Sequence, residues 1–206
     1  MSIVKLNNRG IRSATTFGSI SALGEMRFIK KQTASSSATV SFVDGTSDVV
    51  LDDTYKEYLF TFNNIHPATD GAEFQVNFSI DSGSNYNVAK NTTFVYAYHN
   101  EADGTTALEY NASNDLALGT GIQIIMENVG NDNDQCGSGY LHLYNPSDTT
   151  FTKQFIATTQ TNINADYSTN AYVGGFINST SAVDAVQFSM SSGNIDAGDI
   201  CLYGIN

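Results

Sequence analysis

Hydrophobic residues recur at every second position along most of the chain. Between Glu73 and Asp81, Phe74, Val76, Phe78 and Ile80 alternate with Glu73, Gln75, Asn77, Ser79 and Asp81. Alternation over this length predicts a half-buried β-strand, because successive side chains of a strand point to opposite faces. Tyr58, Phe60 and Phe62 alternate with Leu59 and Thr61, and Phe94, Tyr96 and Tyr98 share one face of the stretch from Thr92 to His99. Further strands are predicted in MRFIKK, ATVSFV, IQIIMENV, YLHLY, KQFIATT, YVGGFI, AVQFSM and DICLY, roughly ten or eleven in all. The turn clusters DSGSNY, DNDQCGSG, YNPSDTT and SSGNIDAG separate them.

Helical periodicity is convincing nowhere. The segment EADGTTALEYNASNDLALGTG (101–121) has no clear strand and is expected to hold a short helix or a long loop. Many short strands without intervening helices predict an all-β, antiparallel β-sandwich, and the count suits the two sheets of a jelly roll. The sandwich domain is expected to span residues 26–206. Residues 1–25 show neither period, contain Lys5, Arg9 and Arg12, and end in GSISALG. They predict an extended N-terminal arm that anchors the domain to another molecule, a frayed terminus being the alternative.

The chain has 206 residues, of which 15% are charged, with a net charge of −12. That low charged fraction leaves Ser, Thr and Asn to cover the polar faces. The acidic balance points away from nucleic acid, whose phosphates require Lys and Arg, and from anionic membrane surfaces. The chain has no run of about 18 apolar residues to span a bilayer. No apolar segment follows the basic residues at the start, so no secretory signal is expected and assembly is placed in a cytoplasm. Cys136 and Cys201 are then expected to be unpaired thiols. The sequons at Asn77, Asn91, Asn111 and Asn178 read as products of composition.

Candidate chemistry is sparse. His66, His99 and His142 lack the close spacing of a zinc site and are expected to pack or hydrogen-bond, with His66 shaping a turn before Pro67. The most metal-like segment is GNDNDQ, where Asp132 and Asp134 offer oxygen ligands to a hard cation such as Ca²⁺. It lacks the Gly and distal Glu of a helix–loop–helix calcium loop, and a polar turn is the simpler expectation. Glu101, Glu109 and Glu127 could in principle supply the carboxylate pair of a glycoside hydrolase. No nucleophile elbow or phosphate loop occurs, so neither catalysis nor a cofactor is expected. The eleven Tyr offer rings and hydroxyls that suit a weak sugar-binding surface.

Several segments together carry a resemblance: MSIVKLNNRGI, IKKQTASSSATVSF, TYKEYLFTFNNIHPATDGAEFQVNFSIDSGSNYN, AYHNEADGTTALEY, GNDNDQCGSGYLHLYNPS and FSMSSGNIDAGDICLYGI. The chain resembles virion-associated proteins of marine tailed bacteriophages, cyanophages among them. Their closing Gly-x-Ile-x-Leu-Tyr-Gly-Ile signature stands here as Gly198, Ile200, Leu202, Tyr203, Gly204 and Ile205. The resemblance implies a non-enzymatic structural protein of the particle and brings no catalytic residues with it. Small size, a basic arm, an acidic body and the lack of a shaft favour a capsid-decoration or surface-fibre protein on the outside of the virion. The alternative is a short tail-associated adaptor or receptor-binding protein recognising host-surface polysaccharide. Expected partners are the major capsid protein or tail proteins and further copies of the chain, a trimer being one arrangement.

Overall fold

The computed structural model describes residues 26–206. The expected arm, with Lys5, Arg9 and Arg12, lies outside the described residues. Thirteen strands follow in order: β1 (Met26–Ser37), β2 (Thr39–Val43), β3 (Glu57–Pro67), β4 (Ala72–Ser79), β5 (Lys90–Asn100), β6 (Thr106–Tyr110), β7 (Ala117–Gly119), β8 (Gln123–Val129), β9 (Gly137–Tyr144), β10 (Lys153–Ile163), β11 (Tyr167–Ile177), β12 (Ala185–Met190) and β13 (Ile195–Ile205). All pairings are antiparallel. No helix occurs among the described residues.

The strands form a sandwich. A large layer runs β1-β13-β3-β9-β10-β11-β5, with β6 and β7 both pairing on the far side of β5. A small layer runs β2-β12-β4-β8. One residue pair, Ile163 with Val129, joins β10 to β8 and links the layers. The chain crosses between layers repeatedly, the winding expected of a jelly roll. At the first crossing β1 passes into β2 with only Ala38 between them, after Ser36 takes a positive φ of 52°.

Alternation places one face of each layer inward. Phe42, Phe60, Phe62, Phe74 and Phe188 meet edge-on or stacked at ring-centroid distances of 5.2–6.4 Å, and Phe78 meets Phe155 at 5.1 Å. Burying each of these rings contributes roughly 1.5–3 kcal/mol, and offset or edge-to-face geometry adds to it.

The closing motif is explained by packing. Gly198 sits at φ 129° in an irregularity of the β13–β3 ladder, and a Cβ there would meet the Asn64 carbonyl oxygen at 2.8 Å. Ile200 and Leu202 enter the core. Gly204 lies under the Tyr55 ring, whose Cδ2 would stand 2.2 Å from an added Cβ.

Three local expectations are corrected. Residues 101–121 form neither helix nor continuous loop, because β6 and β7 complete the edge of the large layer beside β5. This raises the strand count to thirteen. On β4, Asn77 and Ser79 are buried although they stand on the polar side of the alternation. The 80–89 loop folds back over that side: Asn77 donates from Nδ2 to the Tyr86 carbonyl, and Ser79 Oγ accepts from the amides of Asp81 and Gly83. The strand ends at Ser79, which leaves Ile80 exposed.

The inner face also holds two buried lysines. Lys90 and Lys153 flank Ile177 in one register row across β5, β11 and β10. Lys153 donates to the carbonyls of Phe151, Ser179 and Ser181, tying two loops to the sheet end. Lys90 donates to Asn77 Oδ1 at 2.6 Å and to the Val88 carbonyl at 2.9 Å. Burial pushes the Lys90 ammonium down to about 8.

Candidate functional site: the outer face of the large layer

The same alternation that fills the core fixes what the large layer turns away from it. Register places Phe28, Tyr203, Leu59, His142, Ile156, Gly174 and Thr93 in one row on the outer face. The neighbouring row runs Lys31, Cys201, Thr61, Tyr140, Thr158, Tyr172, Val95 and Tyr110. Met26, Phe28, Leu108, Tyr110, Tyr140, Ile156 and Tyr172 all point outward and are 41–72% exposed. An exposed apolar patch rimmed by polar residues marks an interaction surface more often than chance exposure does.

This face is almost free of charge. The outward positions of β9, β10, β11 and β5 carry no Asp, Glu, Lys or Arg. At its margin Lys31 pairs with Asp199 at 3.0 Å, and His142 Nδ1 contacts Glu57 Oε1. Burial raises the phenols of Tyr144 and Tyr203 above their ordinary range. Tyr140, His142 and Tyr144 form an aromatic ladder along β9, with centroid distances of 5.3 and 6.1 Å.

Elsewhere the body is strongly acidic. Residues 26–206 carry six Lys and Arg against twenty Asp and Glu, a net −14, and two of the six cations are the buried lysines. The carboxylates concentrate in turns and loops, including Asp44, Asp48, Asp52 and Asp53 before β3 and Asp70, Asp132, Asp134 and Asp166 in later turns.

Among the described residues the face carries a hollow. A depression of about 450 Å³ opens over Gly174 and is lined by Asn91, Thr93, Gln154, Ile156 and Phe176 together with neighbouring backbone. An added Cβ at Gly174 would find only Thr93 Oγ1 within 4 Å, at 3.9 Å. Two residues along β11, Tyr172 projects from the same face.

The residues singled out from the sequence fall elsewhere. Asp132 and Asp134 are exposed in the β8–β9 turn, where the Gln135 amide donates to the Asp132 carbonyl at 3.0 Å. Gln135 Nε2 donates to Asp166 Oδ1 at 3.3 Å, so the turn leans on the β10–β11 turn. Among the described residues no group of three or more His, Cys, Asp or Glu is placed to hold a metal ion. His66 Nε2 lies 3.4 Å from the Asp132 carbonyl, and His99 Nε2 lies 3.0 Å from Asp103 Oδ1. Cys136 and Cys201 are both free thiols.

Of the three glutamates, Glu101 sits in the β5–β6 turn, apart from the other two. Glu109 and Glu127 share the region beside β5. Tyr96 and Tyr98 donate their hydroxyls to Glu109 at 3.0 and 3.3 Å, and Asn111 and Asn114 donate to Glu127 Oε2 at 3.2 and 2.9 Å. Burial raises the Glu127 carboxyl, and nearby Glu73 and Glu109 push it the same way. Burial and the bond to Glu109 push the Tyr96 phenol up to about 12. These groups satisfy one another and tie β5, β6 and β8 together.

The outer face itself was missed from the sequence. Its signal was present in YLHLY and KQFIATT, where both parities carry apolar residues: Leu141 and Leu143 face inward, and Tyr140, His142 and Tyr144 outward. A strand apolar on both sides is a strand meant to be covered on both sides. In comparisons with protein-family models, with curated proteins and with solved structures, nothing matches this chain.

Proposed function

We propose that this protein is a non-enzymatic structural component of the outside of a tailed-phage particle, most simply a capsid-decoration protein. The observation that carries this reading is the uncharged aromatic face of the large layer, set in a body of net −14. Such a molecule joins neighbours through one face and repels contact elsewhere, which suits a repeated surface component. The resemblance of the chain to virion-associated proteins supplies the particle. Binding only to the assembled state stabilises a shell by mass action, and many copies make weak contacts effective.

The test is to purify intact particles through a density gradient, measure the copy number of the chain by mass spectrometry, and label the particles with antibody against residues 26–206. The reading expects tens to hundreds of copies and labelling spread over the head. Labelling confined to the tail would favour the adaptor or receptor-binding reading instead. Absence of the chain from purified particles would overturn both.

A further inference from the structure

We infer that the occupant of the outer face is the same face of a second copy, paired about a two-fold axis. This rests on the reading of that face as an assembly surface. Three observations select a second copy.

The first is shape. Tyr172 and the hollow over Gly174 lie two residues apart on one strand face, about 7 Å at strand rise. A two-fold axis lying between the two faces, parallel to the sheet and crossing β11 at right angles midway between these positions, sets each Tyr172 over the partner's hollow. An isologous interface needs this relation, in which residue i meets j while j meets i. Ile156, 50% exposed at the rim, closes the side of the hollow.

The second is charge. Copies of a −14 body repel at any acidic surface, and the outward positions of β9, β10, β11 and β5 form a broad surface without carboxylates. A basic partner would instead be met by acidic groups, which this face does not provide.

The third is area. Seven strands from β1 to β5, at about 4.8 Å spacing and about eight residues each, make a face on the order of 800 Å², the per-partner area of a specific interface.

The experiment is sedimentation-velocity ultracentrifugation of the full chain over about 1–100 μM, at 50 and 500 mM NaCl. The expected result is a dimer whose dissociation constant falls several-fold at the higher salt, because screening relieves the repulsion of the acidic bodies. Tyr172→Asp and, separately, Gly174→Leu should each weaken the dimer at least 100-fold. Circular dichroism and the melting temperature of the monomer should stay unchanged, since neither position packs in the core. A monomer at 100 μM, a mass of three copies, or a dimer that both variants leave intact overturns the pairing. A chain that is monomeric alone but present on purified particles overturns the pairing and leaves the particle assignment standing. A dimer absent from particles does the reverse.

Discussion

The two faces of the large layer are built from the same strands and differ in what covers them. On the inner face, Phe60, Phe62, Leu141, Phe155 and Val173 are buried by the small layer. On the outer face, Phe28, Tyr140, Ile156 and Tyr172 occupy the alternate positions of the same ladder and stand in solvent. Polarity does not mirror this arrangement. The buried inner face contains the ammonium groups of Lys90 and Lys153, whereas the outward positions of β9, β10, β11 and β5 hold no acidic or basic side chain except His142 and His99. Burial against the chain's own small layer tolerates a charge where carbonyls of the same chain can be positioned to meet it. A face waiting for a separate molecule has no such groups of its own, and an unpaired charge there would cost several kcal/mol on association.

The sharpest contrast between the faces is in stability. Phe188 contacts Phe42, Phe60, Phe62 and Phe74 at 5.2–6.4 Å, so Phe188→Ala should lower unfolding free energy by about 3–5 kcal/mol. Ile156→Ala on the outer face should change the stability of the isolated monomer by less than about 0.5 kcal/mol. Urea unfolding of both variants at low protein concentration checks this. Equal losses would mean that the outer face is packed within the chain.

Lys90 separates the faces by pH. Its folded-state pKa, about 8, lies below the ordinary 10.5, so between these values the unfolded chain holds the proton that the folded chain has released. The wild type should therefore gain stability as pH rises from about 8 toward 10.5, relative to Lys90→Met, which has no proton to lose there. The full difference is roughly 3 kcal/mol. Denaturation of the two proteins at pH 7.5 and pH 10 measures it, and a difference that does not change with pH would show that Lys90 is hydrated in the folded chain.

Adjacent glycines give the smallest and most local contrast. Gly175 faces inward, and an added Cβ would stand 2.6 Å from the Asn91 carbonyl oxygen and 3.1 Å from Thr92 Cα. Gly174 faces outward, with open space above it. Gly175→Ala should cost about 1–3 kcal/mol through overpacking against backbone. Gly174→Ala should be neutral or stabilising by up to about 1 kcal/mol, through loss of unfolded-chain freedom. Thermal melts of the two variants side by side decide it.

Much of the fold is legible in the sequence because period-two alternation reports directly on one buried face. Phe74, Val76 and Phe78 on β4, and Phe60 and Phe62 on β3, lie where that alternation places them. It fails where a second surface comes to bear. Asn77 and Ser79 look solvent-facing because their cover is the 80–89 loop, and no local pattern announces that contact. β6 and β7 escape notice because each is short and mostly exposed, held by pairing to β5 and not by a hydrophobic stripe. The candidate site is less legible than the fold. Asp132, Asp134, Glu109 and Glu127 attract attention as isolated chemistry, but Asp132, Glu109 and Glu127 are tied into turn or strand contacts and Asp134 stands exposed in the same turn as Asp132. The outer face emerges only when residues from β1, β13, β3, β9, β10, β11 and β5 are laid side by side, and strand order is what a sequence period does not carry.

The most direct test of the account is cryo-electron microscopy of intact particles at a resolution that orients this domain. The account predicts density on the particle surface in which the large layer's outer face, with Tyr140, Ile156 and Tyr172, is covered by protein while the acidic turns around Asp70, Asp132 and Asp166 face solvent. Density in which that aromatic face is bare and the acidic turns make the contacts would contradict it.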